Sequence, residues 1–341
     1  MDAQTEKSRI GNKRVLRDRS SSIEATFIDY GATLTHLLVP DRQGKLKDVV
    51  LGCPEIQDYI KPHPFFNCLV GRYSNRITNA EFTLEGQKYV LEANMGKHHI
   101  HGGYRGFANR TWQSEETTDA IEFSLVSSDG DQGYPGELSV QALYSLQSNT
   151  LKLEFWATTT RPTPISMTAH HYFNLSGIQA SSIRNHELRV NADHYTVANP
   201  DLTQRGEFKS VARTPFDFRQ SKCLGEQNVL DSTDPQVQSA NGIDHNYVLN
   251  GSDLRTAAIL KDPISGRCLT VRTNQPCMQV YTANTLDAKG KDNTHYSKHQ
   301  AICLETQQFP DSLNHSAFPD SVLDPGETFY ATTEYEFSVE D

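Results

Sequence analysis

The chain has 341 residues, 36% of them hydrophobic and 9% aromatic, and its 42 acidic against 32 basic side chains give a formal net charge of −10. This acidity argues against nucleic acid as a partner, because phosphate backbones are bound by basic surfaces, and no stretch approaches the roughly 18 apolar residues that would cross a membrane. Length alone suits two domains, although all-β sandwiches often run past ~200 residues as one unit.

At the N-terminus, Arg9, Lys13, Arg14, Arg17 and Arg19 give a basic tint that Asp2, Glu6 and Asp18 interrupt, and there is no apolar run. Neither a secretory nor a transit segment is predicted. Residues 1–20 read as a loose tail, and the protein as cytoplasmic. The cysteines, Cys53, Cys68, Cys223, Cys268, Cys277 and Cys303, are scattered without a C-x-x-C pair. They are expected to be free, buried thiols.

Alternation of apolar and polar residues marks a half-buried strand at Ile23-Glu24-Ala25-Thr26-Phe27. A short helical stretch over Pro54 to Ile60 is stopped by Pro62 and Pro64. After the apolar Cys68-Leu69-Val70 comes Gly71-Arg72-Tyr73-Ser74-Asn75-Arg76-Ile77. An arginine fork beside an asparagine, with donors and an acceptor, suits a hydroxyl-rich ligand. Phe82, Leu84, Tyr89 and Leu91 then flank Glu85-Gly86-Gln87-Lys88, a tight hairpin.

The run His98-His99-Ile100-His101-Gly102-Gly103 invites a metal reading. An H-x-H pair in a β-barrel resembles the cupin metal site, but the carboxylate that such a site needs is missing from Gly102, Gly103, Tyr104, Arg105, Gly106 and Phe107. No metal is expected. Gly102 and Gly103 would instead let backbone approach a ligand beside His101. Alternation resumes at Ile121 to Leu125 and Leu138 to Tyr144, and Leu151, Leu153 and Phe155 continue it after the turn Ser148-Asn149-Thr150.

Thr168-Ala169-His170-His171-Tyr172-Phe173-Asn174-Leu175-Ser176-Gly177 reads as strand. Successive side chains in a strand face opposite ways, so His170, Tyr172 and Asn174 share one face, and Ala169, His171 and Phe173 the other. The polar stretch Ser221 to Gly242 reads as a long surface loop, functional or disordered. In Gly242-Ile243-Asp244-His245-Asn246-Tyr247, Asp244 is placed either to cap a turn or to accept hydrogen bonds from vicinal hydroxyls. Gln279 and Tyr281 share a strand face in Gln279-Val280-Tyr281-Thr282-Ala283-Asn284. Glu305 lies in the apolar run Ala301-Ile302-Cys303-Leu304-Glu305, and a buried carboxylate in a cleft is a candidate general base.

Many strands, frequent turn residues and almost no helix predict an all-β protein, a large, mostly antiparallel sandwich or barrel. Asn75-Arg76, His101-Gly102-Gly103, Asp129-Gly130 with Gly133-Tyr134-Pro135-Gly136, His170 to Gly177, Asp244-His245, Gln279 to Asn284 and Leu304-Glu305-Thr306-Gln307 occur in this order. Together they make the chain, from about Gly31 to Glu336, similar to the aldose 1-epimerases, or galactose mutarotases. The resemblance implies a large twisted β-sandwich of the galactose mutarotase-like kind, forming one domain over 21–341. It also implies interconversion of the α and β anomers of a free aldohexose such as galactose or glucose, without metal, nucleotide or other cofactor.

In that chemistry a base removes the proton of the anomeric hydroxyl and an acid protonates the ring oxygen. The open aldehyde then rotates about C1–C2 and recloses on its other face. The matching family positions imply Glu305 as base and His170 as acid, with His101 and Arg76 near the ring oxygen, Asp244 and Gln279 on hydroxyls, and Asn75 in support. With reference pKa values of about 4.3 and 6.5, an ionised Glu305 and a partly protonated His170 are expected near neutral pH, with Glu305 setting the acidic limb of a bell-shaped profile. Family members usually carry Thr-Asn-His-Ser or Thr-Asn-His-Thr before Tyr-Phe-Asn, whereas Ala169 and His171 flank His170 here. The expected partner is a monosaccharide, and the expected state a monomer or homodimer. Rival readings are an epimerase of a modified or phosphorylated sugar, a non-catalytic carbohydrate-binding sandwich, and a glycoside hydrolase or lyase, which would commonly use two carboxylates.

Overall fold

The structure, a computed structural model, describes residues 12–18, 20–227 and 229–340. Its largest sheet has nine strands, in the spatial order Gln113–Glu116, Ala120–Ser127, Leu138–Gln147, Thr150–Thr159, Phe329–Val339, Arg267–Thr273, Arg255–Lys261, Glu187–Val190 and Lys222–Cys223. Neighbours are antiparallel throughout. In Leu138–Gln147 the inward residues are Leu138, Val140, Ala142, Tyr144 and Leu146, and Ser139 and Gln141 face out. A slip of one residue would exchange these faces, and burying each aliphatic side chain is worth about 1.5–3 kcal/mol, so the pattern fixes the register.

The inner face joins one core with two other sheets. One has four strands, Lys13–Arg17, Glu24–Ile28, Thr33–Pro40 and Leu46–Asp48. The other has five, in the order Gln204–Ser210, Ala192–Ala198, Asp244–Leu249, Cys277–Tyr281 and Cys303–Gln307. The all-β architecture with little helix is as the sequence leads one to expect.

Several local expectations change. Part of the expected tail, residues 1–11, lies outside the described residues, but Lys13–Arg17 pairs with Glu24–Ile28 as a strand. The expectation of a loose tail reaching residue 20 therefore fails over this strand, where Leu16 is buried in the core. Pro54 to Ile60 contains a 3-10 turn, Ile56–Ile60, closed by the Lys61 N–H on the Asp58 carbonyl. The first hairpin turns on Glu85 and Gly86 alone, with φ of 51° and 77°, and Gln87 already lies in the return strand. The described residues of the span Ser221 to Gly242 contribute to the core through Leu224, Val229, Leu230 and Val237. Its helix Pro235–Ala240 is capped by Asp234, which accepts from the Gln236 N–H at 2.8 Å. All six cysteines are free; five are buried and Cys223 is half-buried.

Candidate active site

In Cys303–Gln307, Leu304 and Thr306 alternate with Glu305, and Leu304 packs into the core while Glu305 faces the other way. The pairing registers Asn246↔Gln279↔Glu305 and Asp244↔Tyr281 set these side chains in neighbouring rows on one sheet face. His245, Tyr247, Val280 and Leu304 lie on the opposite, core-facing side of the same strands. Strand alternation thus separates chemistry from packing.

The remaining groups arrive from the other side on irregular backbone. Thr168–Ala169 pairs with Leu69–Val70, after which the run is held by bridges from Phe173 to Val50 and Ile302 rather than by a continuous strand. The alternation of sides survives. His170 faces the cleft and stacks on Tyr172, with ring centroids 5.0 Å apart and planes at 15°, while His171 packs in the core against Phe173 and Tyr335. Asn174 does not follow His170 into the cleft, because its amide is used on the Gln300 and Ala180 carbonyls. Asn75 and His101 have left-handed backbones, φ 63° and 52°, which turn their side chains toward the same cavity.

The result is a cleft of about 810 Å³ lined by all seven predicted residues: Asn75, Arg76, His101, His170, Asp244, Gln279 and Glu305. His170 Nε2 lies 3.6 Å from Glu305 Oε1. Arg76 Nη2 is 3.6 Å from Asp244 Oδ2, and Gln279 Nε2 donates to Asp244 Oδ1 at 2.5 Å. Asn75 holds the arginine from the other side, its Oδ1 accepting from the Arg76 backbone N–H at 2.8 Å. Arg76 Nε and Gln279 Oε1 are buried without a partner. Each such orphan ordinarily costs about 1–3 kcal/mol, so two beside one cleft mark where ligand hydroxyls fit.

Glu305 is only 2% exposed. Burial, reinforced by the Asp244 charge and opposed by Arg76, raises its pKa well above the ordinary carboxylate range. Burial pushes His170 down to about 4. Burial thus acts against charge on both groups, pulling against the expected ionised glutamate beside a partly protonated histidine.

His98, His99 and His101 do not converge. His98 Nε2 faces Asp201 Oδ2 at 3.2 Å, and His99 is fixed between the Glu92 carbonyl and the Tyr134 hydroxyl. A different trio, His101, His170 and Glu305, has ligand-type atoms within 4.8 Å of one another. The Asn75 backbone N–H donates to His101 Nδ1 at 3.2 Å. That nitrogen is an acceptor, so neutral His101 carries its proton on Nε2 and is set as a donor rather than a metal ligand there. Gly102 serves packing and not ligand approach, since a Cβ on it would lie 1.9 Å from the Gly71 carbonyl oxygen.

Sequence reasoning missed Phe65, whose ring lies 4.8 Å from His101 and 6.1 Å from His170. An apolar residue in Pro64-Phe65-Phe66 carries no signal that separates a cleft wall from core.

A β-sandwich with a buried carboxylate–imidazole pair at the base of a hydroxyl-matching cleft is the framework of a sugar-handling acid–base enzyme. The sequence pattern of the aldose 1-epimerase family matches residues 14–336. Galactose mutarotase of Bos taurus is 41% identical over 324 residues, covering 94% of this chain and 93% of its own. Aldose 1-epimerase of Escherichia coli K12 is 36% identical over 332 residues, covering 95% and 94%. An aldose epimerase homologue from C. elegans superposes with a TM-score of 0.90 at 29% identity, covering 97% of this chain and 99% of its own. The chain belongs to the aldose 1-epimerase family. Among the described residues no helix is long and apolar enough to cross a membrane.

Proposed function

We propose that this chain is an isomerase that interconverts the α and β anomers of a free aldohexose such as galactose or glucose, with Glu305 as general base and His170 as general acid. The observation that carries the assignment is the 3.6 Å approach of His170 Nε2 to Glu305 Oε1 in a cleft whose other polar groups suit hydroxyls. Carboxylate and imidazole together hold one exchangeable proton, and the reaction moves it in a balanced cycle. Glu305 takes the anomeric O1–H proton as His170 gives one to the ring oxygen, the C1–O5 bond breaks, and the pair is left as neutral carboxyl and neutral imidazole. Burial, which disfavours charge on both groups, acts in the direction of that neutral pair. After rotation about C1–C2 the two transfers reverse and the ring closes.

His101 Nε2–H and the Arg76 guanidinium steady the negative charge that develops near the ring oxygen. Asp244 and Gln279 hold hydroxyls, and Asn75 orients Arg76 and His101. One domain carries the site, a reading supported by the nine-stranded sheet, which joins strands from Gln113–Glu116 to Phe329–Val339. We place the protein in the cytoplasm, as a monomer or homodimer, which fits its free thiols.

Proton NMR of freshly dissolved α-galactose and α-glucose tests the activity. Catalytic amounts of protein are expected to speed the appearance of the β signals. An unchanged rate for both sugars overturns the reading, and cleavage of a glycoside would favour a hydrolase.

A further inference from the structure

The registers of the nine-stranded sheet place Gln113, Ser124, Gln141, Trp156 and Tyr330 side by side across five adjacent strands. All five face away from the core. Four inter-strand gaps of about 4.8 Å make the row roughly 19 Å long, several times the width of one pyranose ring. Trp156 and Tyr330 form an aromatic pair, centroids 5.6 Å apart, and Tyr330 is 45% exposed. Gln113, Ser124, Gln141 and Trp156 of the row floor a second cavity of about 760 Å³, nearly the size of the catalytic cleft, and the two cavities share Arg105 and Asn109 in their walls.

The chemistry of the row is specific. The row itself contains no charge; of the arginines on the cavity wall, Arg110 is taken by Asp131 at 2.7 Å, and Arg105 stands exposed on the side shared with the catalytic cleft. Amide and hydroxyl groups occupy one end of it and the Trp156–Tyr330 pair the other, which matches a ligand with apolar C–H faces and hydroxyl edges. A second protein copy fits less well. Interface centres are dominated by large apolar and aromatic groups, whereas Gln113, Ser139 and Gln141 lie exposed along this floor.

We propose that this outer sheet face is a second saccharide site that binds neutral oligosaccharides, with Trp156 as the stacking platform and Gln141, Gln113 and Ser124 as hydrogen-bonding partners. It rests on the sugar-handling reading of the catalytic cleft, with which it shares a wall. The site would hold an oligosaccharide near the cleft that opens reducing-end rings.

Only two tryptophans are present, and Trp112 is buried in the core, so a change in intrinsic fluorescence on binding at the outer face is assigned to Trp156. Lactose and maltotriose are each titrated into the parent protein, Glu305→Gln, Trp156→Ala and Gln141→Ala. A saturable change with at least one sugar is expected in the parent and in Glu305→Gln alike. Gln141→Ala, which keeps the reporter, is expected to weaken it about fivefold. By calorimetry, Trp156→Ala should lose that binding while its kcat and KM for galactose stay within about twofold of the parent. Fluorescence unmoved by both sugars, with galactose mutarotation intact, overturns the proposal. So does a parent dimer, seen by sedimentation, that Trp156→Ala disperses. Absence of mutarotation with every sugar strikes instead at the epimerase reading.

Discussion

Two cavities of nearly equal size, about 810 and 760 Å³, share a wall formed by Arg105 and Asn109 yet differ in kind. One buries Glu305, His170, His101 and Arg76; the row that floors the other is neutral and stands on the solvent side of a sheet. Volume therefore says little about chemistry, and the energetic cost of the groups inside says more. Holding an ionisable carboxyl out of water costs several kcal/mol unless it is neutralised. The fold bears that cost at Glu305 and nowhere along the outer row.

Breaking the costly side of this contrast should have the largest effect. Glu305→Gln removes the proposed base, and kcat for galactose is expected to fall about 10³–10⁴-fold by polarimetry. Its stability should move the other way. The raised pKa of Glu305 means that its favourable contribution is complete below the unfolded carboxylate pKa and lost as pH rises through the folded value. At neutral pH the amide should therefore melt at or above the parent temperature in calorimetry; a clear drop would mean that the carboxylate is better stabilised than its surroundings imply. His170→Asn should cost about 10²–10³ in kcat with circular dichroism unchanged.

Smaller effects follow on groups that bind without moving protons. Gln279→Ala is expected to raise KM for galactose about fivefold to tenfold while kcat changes less, because it removes a proposed hydroxyl contact and frees Asp244. The smallest change in turnover is expected for His171→Ser, within about twofold, although unpacking a side chain set between Phe173 and Tyr335 should cost about 2–4 kcal/mol in chemical denaturation. If His171→Ser abolished turnover and His170→Asn did not, the two faces of this segment would be exchanged.

The separation of those two histidines was legible in the sequence because it rests on alternation, a property of a few consecutive residues. The same holds for Glu305, whose apolar neighbours Leu304 and Cys303 reveal a polar side chain set where water is scarce. What the sequence could not show depends on distant partners. The acceptor state of His101 Nδ1 is fixed by the backbone of Asn75, and the pKa shifts of the pair follow from a burial that no local pattern measures. Phe65 was missed for the same reason. The buried residues of Ser221 to Gly242 were not legible because Leu224, Val229 and Leu230 lie in turns, and Val237 on a helix of six residues, too short to show a period.

The pH dependence of kcat/KM for galactose tests the shared-proton pair most directly. A second proton enters as pH falls toward the depressed His170 value, about 4, and the last proton leaves as pH rises through the raised value of Glu305. As the two groups interact, the limbs belong to the pair rather than to either residue. The expected result is a plateau from an acidic limb near pH 4 to an upper limb beyond the ordinary carboxylate range, with Glu305→Gln losing the upper limb in its residual activity. An acidic limb abolished by Glu305→Gln, with an upper limb that persists near the ordinary histidine value, would contradict the effect of burial on this pair.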